Sequence, residues 1–227
     1  MKQKFTILFD LDGTLVDTAP DLMLAHNHVM KKFGYPTKST EDIRNLVGKG
    51  AEALIGRSIW GQAKKEFSKV LDEKIKDEMV KEFVNFYGKN IVNESTLITG
   101  VKDFLIWCKE QNISMAVCTN KQEHLSNDLL KKIGIYDFFE YVAGSDTFDY
   151  CKPDPRHLTN VVEILDGDLK KTIMIGDSET DANAGKAAEI PVILLENGYT
   201  EKNTTEIYHN HLIKDFTGIE KIIKKYL

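Results

Sequence analysis

The sequence predicts an α/β protein: a mostly parallel sheet with a block of helices inserted after its first strand. Three observations lead there. Short apolar runs rich in β-branched and aromatic residues alternate with amphipathic helical patterns over most of the chain. From about residue 20 to residue 87 that rhythm breaks, and only helical periodicity is found. Polar motifs follow successive strand candidates, where the loops of an open parallel sheet converge on one crevice.

The strand candidates are 5–9, 113–118, 139–143, 172–175, 192–195 and 211–213, each a short run suited to a buried strand. Helical patterns fill 101–110, 124–133, 156–165 and 181–188. The inserted block reads DLMLAHNHVMKKFG (21–34), EDIRNLVG (41–48), GAEALIGRSIW (50–60) and AKKEFSKVLDEKIKDEMVKEFVNFYG (63–88). One crossover helix does not need about 70 residues, so the block is expected to form an all-helical cap over 17–90 on a core made of 1–16 and 91–227. The Lys/Glu-rich run 64–81 reads as a solvated helix face.

A chain of 227 residues has room for one large domain or for a core and a smaller one. Hydrophobic residues at 42% against charged residues at 29% are those of a soluble globular protein. The net charge of −5 speaks against a nucleic-acid partner, which would call for a basic patch. No apolar run approaches the ~18 residues of a membrane span. Two aspartates interrupt the short apolar run near the N-terminus, which argues against a secretory signal. Cys108, Cys118 and Cys151 are odd in number and widely spaced, which excludes a disulfide framework and fits a cytoplasmic protein.

The stretch FTILFDLDGTLVDT (5–18) ends an apolar strand in two aspartates at i, i+2. If the strand runs on, Asp10 and Asp12 share one side of it, and their repulsion calls for a cation or a shared proton. Three further motifs follow later strands: TNK (119–121), CKPDP (151–155) and GDSETD (176–181). Convergence would bring Asp10, Asp12, Thr119, Lys152, Asp177 and Asp181 together. Carboxylates without nearby His or Cys favour a hard cation, and Mg2+ is usual where phosphate is handled. Taken alone, GDSETD is more often a helix cap, Thr119 a cap and Lys152 a surface lysine. Four motifs in order, each after a strand, outweigh those separate readings.

On these motifs the sequence resembles the haloacid dehalogenase superfamily, and within it the phosphoglycolate phosphatase-like branch. FDLDGTLVDT, CTNK, CKPDP and MIGDSETD match the four family motifs, and IRNLVGKGAEALI (43–55) is similar to a cap segment of that branch. The resemblance implies a Rossmann-like core and a Mg2+-dependent phosphatase working through an aspartyl-phosphate, with phosphoglycolate as the favoured substrate. Asp10 would be the nucleophile and Asp12 the general acid and base. Thr119, Asn120 and Lys152 would bind the phosphoryl group. Asp10, the backbone carbonyl of Asp12, Asp177 and Asp181 would hold the metal, Asp181 directly or through its neighbours. Arg44 and Lys49 of the cap would read the substrate's carboxylate. The implied partner is a small phosphate ester, met by a monomer or homodimer. A sugar-phosphate mutase, a phosphatase of pyrophosphate, nucleotides or sugar phosphates, and a catalytically silent protein on the same fold are the alternatives.

Overall fold

The structure is a computed structural model and describes residues 4–63 and 69–227, with side chains described outside 60–73. In chain order the elements are β1 (Thr6–Phe9), β2 (Val16–Asp17), α1 (Ala19–Phe33), α2 (Thr40–Arg44), α3 (Gly50–Ala63) and α4 (Lys69–Lys89). Then come β3 (Thr96–Leu97), α5 (Val101–Glu110), β4 (Ser114–Cys118), α6 (Glu123–Ile133), β5 (Tyr141–Ala143) and α7 (Arg156–Ile164). The chain closes with β6 (Thr172–Gly176), α8 (Glu179–Ala187), β7 (Val192–Leu195), β8 (His211–Ile213) and α9 (Glu220–Ile223).

Six strands form one parallel sheet in the order β5-β4-β1-β6-β7-β8. This is the α/β class expected, and its strands are legible for a simple reason. A strand covered on both faces is apolar throughout, and every residue of β1, β4 and β6 is buried. Ile7 and Phe9 face a core shared with α5, α6 and α9, where Phe9 meets the rings of Phe104, Phe139 and Phe216. Leu8 faces the opposite layer with Leu158, Val161 and Val162 of α7 and Ala184 of α8.

β1 lies between β4 and β6, with Phe9 opposite both Val117 and Ile175. The chain leaves β1 to build one half of the sheet and returns beside it to build the other. β1 is therefore the switch point, and the crevice at its carboxyl end lies where the loops after β1, β4, β5 and β6 meet.

The edges depart from expectation. The strand expected over 139–143 is reduced to Tyr141–Ala143, because Tyr136–Phe138 form a 3-10 turn first. An unforeseen antiparallel ribbon pairs Val16–Asp17 with Thr96–Leu97, too short to show any periodicity. Between its strands lie α1–α4, with α4 packed on α1 and α3. The run 64–81 lies partly outside the described residues. Within it Lys74, Asp77, Glu78 and Lys81 are exposed, as a solvated face requires, and Lys76 departs from it, being buried and paired with Glu52. Among the described residues no helix is long and apolar enough to cross a membrane.

Asp21 fastens the helical block at its root. Its buried carboxylate accepts the backbone N–H groups of Asn93, Glu94 and Ser95 and the Ser95 hydroxyl at 2.6–3.1 Å. Removing it leaves the buried Ser95 N–H and hydroxyl, together with the part-buried N–H groups of Asn93 and Glu94, without their acceptor at once. Asp21→Ala is expected to lower stability by at least about 3 kcal/mol in urea unfolding, and a loss below about 1 kcal/mol would show the 93–95 loop to be held some other way.

Candidate active site

β1 stops at Phe9, so strand alternation does not align Asp10 with Asp12 as the i, i+2 spacing suggested. A loop does it instead. Asp10 stays in line with the sheet by donating its N–H to Ile175 O at 2.9 Å. The chain then turns at Gly13 with φ of 82°. A Cβ there would lie 2.2 Å from Asp177 Oδ2, so glycine is what lets the loop approach β6 this closely.

Lys152, from the loop between β5 and α7, donates to Asp10 Oδ1 at 2.7 Å and to Asp181 Oδ1 at 2.5 Å. All three are buried. The Lys152 backbone N–H donates to Nδ1 of buried His157 at 3.2 Å, which steadies the loop. Burial disfavours the Lys152 ammonium, but Asp10 and Asp181 outweigh that and hold it above the usual lysine range. Asp177, directly after β6, accepts from Tyr199 N at 2.6 Å and Thr14 Oγ1 at 3.3 Å.

Asp181 is the third residue of α8, and its Oδ2 accepts from Asp177 N, Ser178 N and Ser178 Oγ. This is the capping role that GDSETD suggests when read alone. Because α8 begins at Glu179, Asp177 precedes the helix and does not share a helix face with Asp181.

Asp12 has its own cation. Lys121 Nζ donates to both its carboxylate oxygens, at 2.6 and 2.7 Å, and Thr18 Oγ1 donates to Oδ1 at 2.7 Å. Thr119 follows β4 and accepts from Lys121 N at 3.2 Å. Asn120 Nδ2 donates to Lys152 O at 2.9 Å and to Gly48 O at 3.1 Å, joining the core motifs to the helical block.

Oxygens of Asp10, Asp177 and Asp181 lie within 4.8 Å of one another, a group that could hold a metal ion. The charges support the fit. Asp10, Asp12, Asp177 and Asp181 face two ammonium groups, Lys121 and Lys152, which leaves two negative charges, the complement of a divalent ion. Burial raises the Asp10 carboxyl to about 6; Lys152 opposes the rise, and Asp181 and Asp12 add to it. Burial also pushes Asp177 well above the carboxylate range, with Asp10 and Asp181 contributing. A donor set of carboxylates suits a hard cation.

A cavity of about 300 Å³ adjoins these groups, and Asp10, Asp12, Thr119, Asn120 and Lys152 line it. The helical block contributes Lys49 and Tyr87. Arg44 is elsewhere: its guanidinium donates to Asp17 at 2.7 Å and lies over the Tyr199 ring, lining a separate cleft. The structure thus brings together every core residue singled out in the sequence, and of the two cap cations only Lys49. Lys121 and Tyr87 went unselected. Lys121 stands inside the TNK motif, so its spacing from Thr119 was the available signal. Nothing in the sequence marks Tyr87. The thiols of Cys108 and Cys118 are free and buried, and burial raises both pKa values, Cys118 to about 12. They are inert.

An acid cluster with a lysine thus lies at the switch point of a parallel sheet, the place to which the motifs pointed. The haloacid dehalogenase-like hydrolase family model matches residues 7–195, and the chain belongs to that family. It is 36% identical to a phosphoglycolate phosphatase of Mesorhizobium japonicum over 94% of this chain and 92% of that one. It is 37% identical to another from Caulobacter vibrioides, over 95% and 89%. The crystal structure of a predicted phosphoglycolate phosphatase from Haemophilus somnus superposes with a TM-score of 0.89 at 30% identity, covering 98% of this chain and 99% of that one.

The acid cluster makes metal binding pH-dependent. Asp10 has a folded pKa above its unfolded value, so the metal-free protein loses stability as pH rises through about 4 to 6 and repulsion develops. A divalent ion relieves that repulsion. Mg2+ is therefore expected to raise the melting temperature more at about pH 7.5 than at about pH 5, and much less in Asp177→Asn. Equal shifts at both pH values would contradict this.

Proposed function

We propose that this hydrolase is a Mg2+-dependent phosphatase of small phosphate monoesters, with phosphoglycolate as its substrate. The observation that carries the reading is the pair of carboxylates on the cavity wall, Asp10 buried and Asp12 half-buried, each with its own lysine: Asp10 with Lys152, and Asp12 with Lys121. Asp10 attacks phosphorus, the bond to the ester oxygen breaks, and Asp12, which enters this step as a neutral acid with a proton taken from solvent, gives that oxygen its proton. A water then attacks the phosphoryl group on Asp10 and Asp12 takes up its proton, returning both residues to their starting state. Thr119, Asn120 and Lys152 hold the phosphoryl oxygens.

A divalent ion held by Asp10, Asp177 and the backbone carbonyl of Asp12 would supply neutralisation of phosphate charge. Asp181 has committed one oxygen to Lys152 and the other to the α8 cap, so its role is to orient Lys152 and to add charge to the metal site.

A cavity of about 300 Å³ is at the small end for a ligand site, which favours a small ester over a nucleotide. The relatives named above as phosphoglycolate phosphatases, similar over nearly their full length, support the same substrate. We take residues 17–90 as the cap and 1–16 with 91–227 as the core, with the β2–β3 ribbon between them. The free thiols accord with a cytoplasmic setting.

Asp10→Asn is expected to abolish phosphoglycolate hydrolysis in a protein that still folds; activity above a few per cent of wild type would remove Asp10 as nucleophile. Asp12→Ala is expected to slow turnover by ~10²–10⁴-fold, and an unchanged kcat on an alkyl phosphate would sink the acid–base assignment. EDTA should silence the enzyme and Mg2+ restore it, whereas full activity in chelator would exclude the metal.

A further inference from the structure

Arg44 is committed to Asp17 and lies outside the cavity, and Lys49 lines the cavity but is exposed to solvent, so a more deeply placed cation is the stronger reader of a carboxylate on the substrate. We infer that Lys121 is the specificity-determining residue: its ammonium binds an anionic group that the substrate carries one carbon from the ester oxygen. This rests on reading the chain as a phosphatase of a small carboxylated ester and names the residue that recognises the carboxylate.

Position is the first argument. Lys121 Nζ lies 2.6 and 2.7 Å from the two Asp12 oxygens. An ester oxygen taking its proton from Asp12 sits within ~2.6–3.2 Å of that carboxylate. The ammonium is thus no more than about two hydrogen-bond lengths from the ester oxygen. In a glycolate ester the carboxylate carbon is two bonds from that oxygen, about 2.5 Å away, inside the same radius.

The surroundings are the second argument. Lys121 is only 8% exposed, lines the cavity, and its Nζ lies 4.6 Å from the centroid of the Tyr87 ring. An ammonium screened from water by an aromatic wall attracts an anion more strongly than a solvated one. Tyr87 lines the same cavity, and its buried hydroxyl has no hydrogen-bond partner among the described residues. A carboxylate bound at Lys121 is an acceptor that this donor lacks.

The third argument is what holds each lysine. Lys152 is clamped between two carboxylates, whereas among the described residues the carboxylate holding Lys121 is that of Asp12 alone. Exchange of Asp12 for the substrate carboxylate trades one ion pair for another in the same place. An ester without the anionic group leaves Lys121 on Asp12. Recognition of the leaving group is in this way joined to release of the residue that must protonate it.

The test compares phosphoglycolate with ethyl phosphate, similar in size and without the second charge, in wild type, Lys121→Met, Lys121→Gln and Lys121→Arg. Wild type should prefer phosphoglycolate. Lys121→Met and Lys121→Gln should each lose kcat/KM on phosphoglycolate about ten- to a hundredfold more than on ethyl phosphate, mainly through KM, and Lys121→Arg should recover part of the difference. Inhibition by 3-phosphonopropionate against propylphosphonate reads the same contact without any proton from Asp12, and the neutral variants should lose the preference for the carboxylated inhibitor. Equal losses on both esters, with the inhibitor preference intact, would show that Lys121 acts only through Asp12 and overturn the inference while leaving the substrate reading standing. A wild type with no preference for phosphoglycolate would overturn both.

Discussion

Lys152 bridges Asp10 and Asp181 in a place with almost no water, and the geometry of the whole site hangs on that bridge. Burying three charged groups is costly unless each is paired, and breaking a buried pair costs ~3–5 kcal/mol. The cost is met by close contacts on every side. Asp181 uses its second oxygen to accept from the Asp177 and Ser178 N–H groups and the Ser178 hydroxyl, so the start of α8 and the end of β6 are tied to the same lysine. His157 holds the Lys152 backbone from α7. One ammonium therefore sets the nucleophile, the helix that follows the last motif and the loop before α7 in a common frame.

The second ion pair works at a different level. Asp12 and Lys121 lie where the core meets the helical block, and Tyr87 of α4 packs on the lysine. Further contacts join the two parts nearby. Asn120 donates to Gly48 O, Arg57 pairs with Glu201, and Asp17 takes both Arg44 and the Tyr199 hydroxyl. Burial would raise Asp17, but its bonds to Arg44 and Tyr199 prevail and hold its carboxyl below the usual range. Tyr199 in turn donates its N–H to Asp177. The placement of the helical block and the geometry of the acids are thus parts of one network, and a change at the ribbon reaches Asp177 through two contacts.

Much of the fold was legible in the sequence because its central strands are buried on both faces. Such strands must be short, apolar and bounded by polar loops, and β1, β4, β6 and β7 read that way directly. The β2–β3 ribbon was not legible, since two residues carry no period. The helices of the inserted block were readable from their apolar spacing, as Leu22, Ala25, Val29 and Met30 along α1 show. Where the acids would gather was readable as well, because parallel strands send their loops to one end.

By itself, then, the sequence determined the order of the strands' polar loops and the types of group they carry: carboxylates after β1 and β6, a hydroxyl and a lysine after β4, a lysine after β5. The tertiary structure decided which group meets which. Lys121 reaches Asp12 across 109 positions of chain and Lys152 reaches Asp10 across 142, and no local rule relates residues so far apart. Arg44 had acids nearer along the chain and took Asp17, since the turn from β2 into α1 lies against α2 in space. Charge pairing is decided by distance and burial, and both exist only once the sheet has closed.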